Sequence, residues 1–480
     1  MMLLLLVACV VELPPFGGST EVDTPTGETG TDTGGSPTGD TATAPTGETG
    51  ATPTPTGHTG GTGDTGDTGV PSSCVFGDVA ATGVDTLLSG AALDDFLVLG
   101  TTAPVPGSSG PSSIWYPRSN GQLQQRTYNG GTPSETTGPA TAPPPIDSLR
   151  SAIVDGTTYL LLQSGTRDLQ VLDETGASIA SASVRSQCLA PYFGLTVVPD
   201  FDGAAGHDLV HTCLDSGNFA SLRSRKVTDA TTFIDDETVS WTVQQASGFL
   251  GVGFRSLVAG PDGTAWVADR SDGYEPHRAW LVDWRTPDIQ QPTDAHLVIS
   301  DTAPVTTSSP PIDGPSPVPV SVDIDNDGTD DVVVAMPTSS GGELWILHDV
   351  PTAMLTGGQL GRDDMDVVLI GGTALDRIDQ VAVLSHDDGG RGVVLGGAKD
   401  GQAVVALLPS VPTTAAAPVP VEDLATAVLK QPQGTWDFVW DLVPAGDYDD
   451  DGCTDVVVHV ASETYVQRVG EGTAFVLSGR

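Results

Sequence analysis

Short apolar runs, each following an acidic or turn residue, recur along this chain: "DFLVLGTTAP" from Asp95, "TYLLLQSG" from Thr158, "DLVHTCLDSG" from Asp208, "AWVADRSDG" from Ala265, "DVVVAMPTSSG" from Asp331, "DQVAVLSHDDG" from Asp379 and "DVVVHVASE" from Asp455. Their starts lie 60 residues apart on average, with single steps from 48 to 76. A recurrence of that size means copies of one supersecondary unit, none of which can bury its apolar face alone. The runs are short, rich in Val, Leu, Ile and Ala, and bounded by Gly, Asp, Ser and Pro, so the unit is built of strands. In several copies a second strand follows a Gly-rich turn, as in "GGELWILHDV" and "GGRGVVLGG". Turn-linked strand pairs repeated at this spacing predict an all-β protein of four-stranded blades, seven of which close a ring. Only "PVEDLATAVLK" near residue 420 reads as a short helix.

The rhythm is confined to residues 73–480. Residues 10–72 are nearly all Thr, Gly, Pro, Asp and Glu, in units such as "PTGETG" and "TGDTGDTG", and have nothing from which to make a core. The segment reads as a disordered, self-repelling linker with a mean reach of about 40 to 50 Å. Before it, "MMLLLLVACV" is too short to span a bilayer and fits the apolar part of an export signal over residues 1–9. Leu6, Val7, Ala8 and Cys9 resemble a bacterial lipobox, which implies lipidation of Cys9 and an outer-membrane or cell-surface location.

Charge narrows the partners. With 62 acidic residues against 19 basic ones the formal charge is −43, the wrong sign for neutralising phosphates or docking on an anionic bilayer. Nucleic acid is excluded, and membrane contact is left to the lipid alone. If Cys9 carries lipid, Cys74, Cys188, Cys213 and Cys453 remain, an even number that allows three pairings in an exported chain. Proximity in sequence suggests Cys188 with Cys213, leaving Cys74 with Cys453.

The chemistry concentrates in two stretches. In "DIDNDGTDDVVV", Asp323, Asp325 and Asp327 take positions 1, 3 and 5 of a loop, Gly328 position 6 and Asp331 position 9. In "DYDDDGCTDVVV", Asp447, Asp449, Asp451, Gly452 and Asp455 repeat that spacing. Alternate carboxylates in a tight loop converge on one hard cation, and glycine at position 6 permits the sharp turn that returns position 9. A third stretch, "DFDGAAGHD", keeps Asp200, Asp202 and Asp208 but has Ala204 at position 5, which weakens the expectation there. An EF-hand would need a carboxylate at position 12, where Val334 and Val458 stand.

The pattern resembles the FG-GAP (VCBS-like) repeat of integrin α-chain-like β-propellers, a DxDxDGxxD loop followed by an apolar strand and Gly-Ala-Pro. Here Ala335, Met336 and Pro337 replace Gly-Ala-Pro. The match is detailed for the two full loops and extends over residues 75–480 only by rhythm. It implies a seven-bladed propeller with structural Ca²⁺ at Asp323, Asp325, Asp327 and Asp331 and at Asp447, Asp449, Asp451 and Asp455. The carbonyl of Thr329 would be a further ligand, with Cys453 in its place in the second loop.

Other constellations carry less. His207 and His211 could share a strand face, but no zinc-type spacing accompanies them, and a structural role is expected. No GxSxG, HExxH, phosphate-binding Gly loop or CxxC occurs. Trp115, Trp280 and Trp284 sit near Arg residues, as on a carbohydrate-binding rim, yet in a chain with 5% aromatics they are expected in the core. The function expected is a non-enzymatic binding or adhesion module for a protein or glycan at the cell surface. The alternative is a carbohydrate-active or lipid-hydrolysing enzyme on the same scaffold, which would need a convergent acid–base cluster that no motif supplies.

Overall fold

The computed structural model describes residues 84–89 and, with interruptions, 102–477. Every described residue belongs to one compact unit, Thr65–Arg480. The expected signal region, the linker, Cys9, Cys74, Cys188, Asp95 and Trp284 lie outside the described residues.

Among the described residues thirty strands, numbered in chain order, form seven sheets. The earliest, β1 (Val84–Ser89), is used last. The first sheet is β2 (Ala103–Val105), β3 (Ser113–Pro117), β4 (Gln122–Asn129) and β5 (Thr132–Ala140). The second is β6 (Ile146–Val154), β7 (Thr157–Ser164), β8 (Asp168–Asp173) and β9 (Ser178–Ser183), and the third β10 (Leu195–Pro199), β11 (His207–Leu214), β12 (Ala220–Lys226) and β13 (Thr238–Val243). The fourth holds β14 (Phe254–Ala259), β15 (Ala265–Asp269), β16 (Arg278–Val282) and β17 (Leu297–Ser300). The fifth holds β18 (Val318–Val322), β19 (Asp331–Met336), β20 (Glu343–Leu347) and β22 (Val367–Ile370). The sixth holds β23 (Arg377–Ser385), β24 (Arg391–Lys399), β25 (Gln402–Leu408) and β27 (Ala427–Lys430). In the seventh, β28 (Phe438–Gly446), β29 (Asp455–Ala461) and β30 (Gly472–Leu477) pair onward with β1.

The fold is an all-β propeller. Six blades, not seven, are cut from consecutive stretches of chain, because the remaining sheet is a composite of the first strand and the last three. Nor are all sheets four-stranded. Two-residue strands β21 (Gln359–Leu360) and β26 (Val419–Pro420) each run back to pair in parallel with the outer strand of the preceding sheet, β17 and β22. Each is followed by a 3₁₀ turn, Arg362–Asp364 or Val421–Asp423. The expected helix near residue 420 is therefore this edge strand, the turn and then β27. Its apolar spacing suits one turn, but Val428 and Leu429 continue as strand.

Packing explains the apolar runs. The first strands of adjacent sheets touch in the cyclic order β2, β6, β10, β14, β18, β23, β28 and back to β2. Between neighbouring sheets lie seven apolar clusters. Strand residues alternate between two of them: Val333 and Ala335 pack toward the sixth sheet, whereas Val332, Val334 and Met336 pack toward the fourth. A sheet buried on both faces needs an unbroken apolar run rather than alternation, hence "DVVVAM". Each fully buried Val contributes about 1.5 to 3 kcal/mol. Trp115, Trp266, Trp280 and Trp345 are buried as the core reading expected. The indole N–H of Trp266 donates to Ser321 Oγ at 2.7 Å and that of Trp345 to Glu343 Oε2 at 2.9 Å.

The recurring runs are mostly second strands. Thr158, Asp208, Ala265, Asp331 and Asp455 lie in β7, β11, β15, β19 and β29. Asp379 departs from the series, falling in the first strand β23; the second strand there is β24, which follows "HDDGG". In the first sheet the second strand is "SIWYP", which no acidic residue precedes.

Candidate metal centre

The two full loops occupy the same place, between first and second strands of the fifth and seventh sheets, and fold alike. Position 1 is consumed by the loop's own backbone: Asp323 accepts from the N–H of Asp327 and of Gly328, both at 3.0 Å. Asp447 likewise accepts from Asp451 at 3.0 Å and Gly452 at 2.9 Å. Position 5 caps the next turn, Asp327 accepting from Thr329 N–H at 2.7 Å and Asp451 from Cys453 N–H at 2.9 Å. Position 9, buried at the head of the second strand, accepts from the position-2 N–H at 2.7 Å in both, Asp331 from Ile324 and Asp455 from Tyr448. Left-handed backbone falls at positions 4 and 6, with φ of 63° at Asn326 and Asp450, 94° at Gly328 and 86° at Gly452. Asn and Asp tolerate that region, and glycine enters it without cost.

What remains unspent is position 3. Asp325 Oδ1 and Asp449 Oδ1 are buried and have no hydrogen-bond partner. Carboxylate oxygens of Asp323, Asp325 and Asp327 lie within 4.8 Å of one another, as do those of Asp447, Asp449 and Asp455. Burial and the neighbouring Asp331 and Asp327 push the Asp325 carboxyl up from its ordinary range. Desolvation, with the Asp449 and Asp447 charges, pushes Asp451 up to about 6. Orphaned oxygens and carboxyls raised by like charge are what a cation would relieve, and an all-oxygen donor set suits a hard one. The residues present fit Ca²⁺.

The third loop is filled from within. Asp200 accepts from Gly206 N–H at 2.7 Å, but the Lys226 ammonium enters between the other two carboxylates, 2.8 Å from Asp202 Oδ1 and 3.0 Å from Asp208 Oδ2, and also donates to the Ala204 carbonyl. Burial alone would raise Asp202 and lower Lys226. The ion pairing outweighs it, holding Asp202 below and Lys226 above their usual ranges. The expected ligand set Asp200, Asp202 and Asp208 thus has a lysine at its centre.

Lys226 was invisible as a site residue because it lies eighteen positions beyond Asp208, on β12. The signal is register: Asp208 pairs directly with Lys226. One step beyond the Val332–Leu347 pair, the same register sets His348 against Asp331. Its Nδ1 is 3.4 Å from Asp331 Oδ1 and 3.7 Å from Asp325 Oδ2.

Neighbouring sheets hold the two loops. Arg391 Nε donates to the Asp323 carbonyl at 3.0 Å, Ser112 N–H to the Asp447 carbonyl at 2.7 Å, and Thr454 Oγ1 to the Ser385 carbonyl. Cys453 is disulfide-bonded. His207 has Nδ1 2.8 Å from Tyr159 Oη and Nε2 3.1 Å from Asp155 Oδ2.

No family model matches the chain, and no curated protein matches it either. Among solved structures, it is similar to the Dos1 propeller at 12% identity and TM-score 0.38, covering 76% of this chain and 74% of that one. BamB from Moraxella catarrhalis matches at 12% identity and TM-score 0.35, covering 78% and 95%. The β-propeller domain of Myceliophteria thermophila Cps50 (Swd1) matches at 11% and 0.44, covering 82% and 98%. Likeness at this level carries nothing about ligand or reaction.

Proposed function

We propose that this chain is an exported, Ca²⁺-stabilised propeller of FG-GAP type that acts as a non-enzymatic binding or adhesion module for a protein or glycan at the cell surface. The observation that carries the reading is the matched pair of loops, alike in hydrogen bonding and each with one buried, unpartnered position-3 carboxylate oxygen. Asp323, Asp325, Asp327 and Asp331, with the Thr329 carbonyl, would hold one ion. Asp447, Asp449, Asp451 and Asp455, with the Cys453 carbonyl, would hold the other. The ion neutralises charge that the loops otherwise keep at a cost, and so fastens strand to strand.

The ring is read as closed by β1 on the outer edge of the last sheet. A Cys74–Cys453 disulfide would secure the same closure, with Cys188–Cys213 as the second bond. Lipid on Cys9 and the linker of residues 10–72 would hold the propeller off an outer membrane. At millimolar calcium and the affinities of extracellular modules, each ion adds about 0.4 to 1.4 kcal/mol. Melting the full chain in calcium and then in chelator tests the reading. A lower midpoint in chelator supports it, and superimposable curves with no heat of calcium binding overturn it. Fatty-acid labelling that marks Cys9→Ala as strongly as the natural chain would remove the anchor.

A further inference from the structure

The two full loops have the same carboxylates but not the same surroundings. In the fifth sheet His348, the residue after β20, turns its imidazole into the loop. Its side chain is 7% exposed, and neither ring nitrogen makes a hydrogen bond of good geometry, although the Asp331 carboxylate and the Pro412 carbonyl face the ring. Asp325 Oδ1, beside it, is also buried and unpartnered. One imidazole nitrogen and one oxygen each from Asp325 and Asp331 gather within 4.8 Å.

The spacing is informative. Nδ1 stands 3.4 Å from Asp331 Oδ1 and 3.7 Å from Asp325 Oδ2. Two ligands each about 2.0 to 2.1 Å from a tetrahedral zinc ion lie about 3.4 Å apart. The supporting contacts are those a metal site needs. Asp331 is held by the N–H groups of Ile324 and Asp349, at 2.7 and 2.9 Å. The backbone of His348 is fixed by its N–H donating to Asp366 Oδ2 at 2.9 Å. Such outer contacts orient ligands before the ion arrives.

We propose that Asp325, Asp331 and His348 form a site for a divalent transition metal of the zinc class, which shares Asp325 and Asp331 with the oxygen ligands read above for calcium. It rests on the reading that the loop holds a cation and deepens it. Imidazole favours zinc over calcium, and carboxylate alone does the reverse. The Asp447 loop, whose cluster is Asp447, Asp449 and Asp455, remains a hard-cation site. One loop design therefore serves two metal classes, set by the residue facing position 9.

Calorimetry with zinc on the metal-stripped full chain and on His348→Gln tests this, with zinc-edge X-ray absorption on both. The natural chain should bind one zinc at least tenfold more tightly than the variant, and its absorption spectrum should carry imidazole scattering that the variant lacks. Calcium binding at the Asp447 loop, in another sheet, reports that the variant is folded. Asp325→Asn gives a second variant that should lose the same zinc. Equal zinc affinity in all three chains, with calcium still bound, overturns the zinc site and leaves the calcium reading intact. Failure of both metals overturns both.

Discussion

The Asp200 loop and the Asp447 loop join first to second strand in two different sheets, and they answer the same electrostatic problem in opposite ways. Both bury a position-9 carboxylate completely, Asp208 in one and Asp455 in the other. In the third sheet the counter-charge is covalent, since the Lys226 ammonium sits among the oxygens. In the seventh, position 3 keeps an orphan oxygen, that of Asp449. A cluster of carboxylates does not by itself make a metal site; what stands opposite on the third strand decides whether the cation is internal or acquired.

Removing the internal cation should have the largest effect. Lys226→Met leaves Asp208 buried beside Asp202 with no counter-charge, and breaking a buried pair in this way costs about 3 to 5 kcal/mol. The side chain of Asp202 is one-third exposed, so the lower end is expected. Denaturant midpoints should fall accordingly, and calcium should restore part of the loss in the variant while doing nothing at that loop in the natural chain. A midpoint unchanged by the substitution would break the comparison, because Lys226 would then be a bystander.

Acid should act next most strongly, through histidines remote from the loops. His459 is fully buried, with Nε2 2.8 Å from Thr102 Oγ1, and burial pushes it down to about 4; burial also pushes His277 down to about 4. Both are neutral when folded, whereas the unfolded chain takes up their protons as pH falls through about 6.5. Their contribution is fully present above that value, shrinks as pH falls toward 4, and amounts to a loss of about 2 kcal/mol each at pH 5. His348 has the opposite tendency, because Asp331 raises it against burial. His459→Gln should flatten the decline of stability between pH 7 and pH 5, measured by urea unfolding in chelator. An unchanged slope would mean that His459 is not held neutral.

How much of this was legible follows the same division. The strands were readable because sheets buried on both faces leave unbroken runs such as "VVVAM", and the full loops because five ligand positions lie within nine residues. Lys226 and His348 were not, since each reaches its loop through cross-strand register rather than local spacing. "GGELWILHDV" reads as a strand ending in two polar residues until β20 is laid against β19. "SIWYP" escaped because the first sheet has no acidic residue at the head of its second strand. The edge strands β21 and β26 are two residues long, too short for any periodicity, and exist only because a neighbouring sheet offers an open edge.

Smaller effects sharpen the contrast at the full loops. Substituting position 1 would confound two roles, because Asp323 and Asp447 hold loop N–H groups as well as being candidate ligands. Position 3 separates them. Asp449→Asn keeps the shape and removes a charge, so stability in chelator should hold or rise slightly, while the gain on adding calcium should drop by about 0.4 to 1.4 kcal/mol. A calcium gain equal to that of the natural chain would place the ion elsewhere.

The smallest effect belongs to Asp200→Asn. Asparagine tolerates the left-handed backbone that Asp200 adopts, with φ of 52°, and its side-chain oxygen can accept the same Gly206 N–H. With Lys226 already among the other two carboxylates, no ion is lost. The melting midpoint should move by less than about 0.5 kcal/mol in stability terms, as for ordinary surface substitutions, and the calcium response should not move at all. Calcium sensitivity that falls in Asp200→Asn would mean that the third loop binds the ion despite its lysine. The residue opposite position 9 would then not be what separates the three loops, and the distinction between internal and acquired cations would fail at its clearest case.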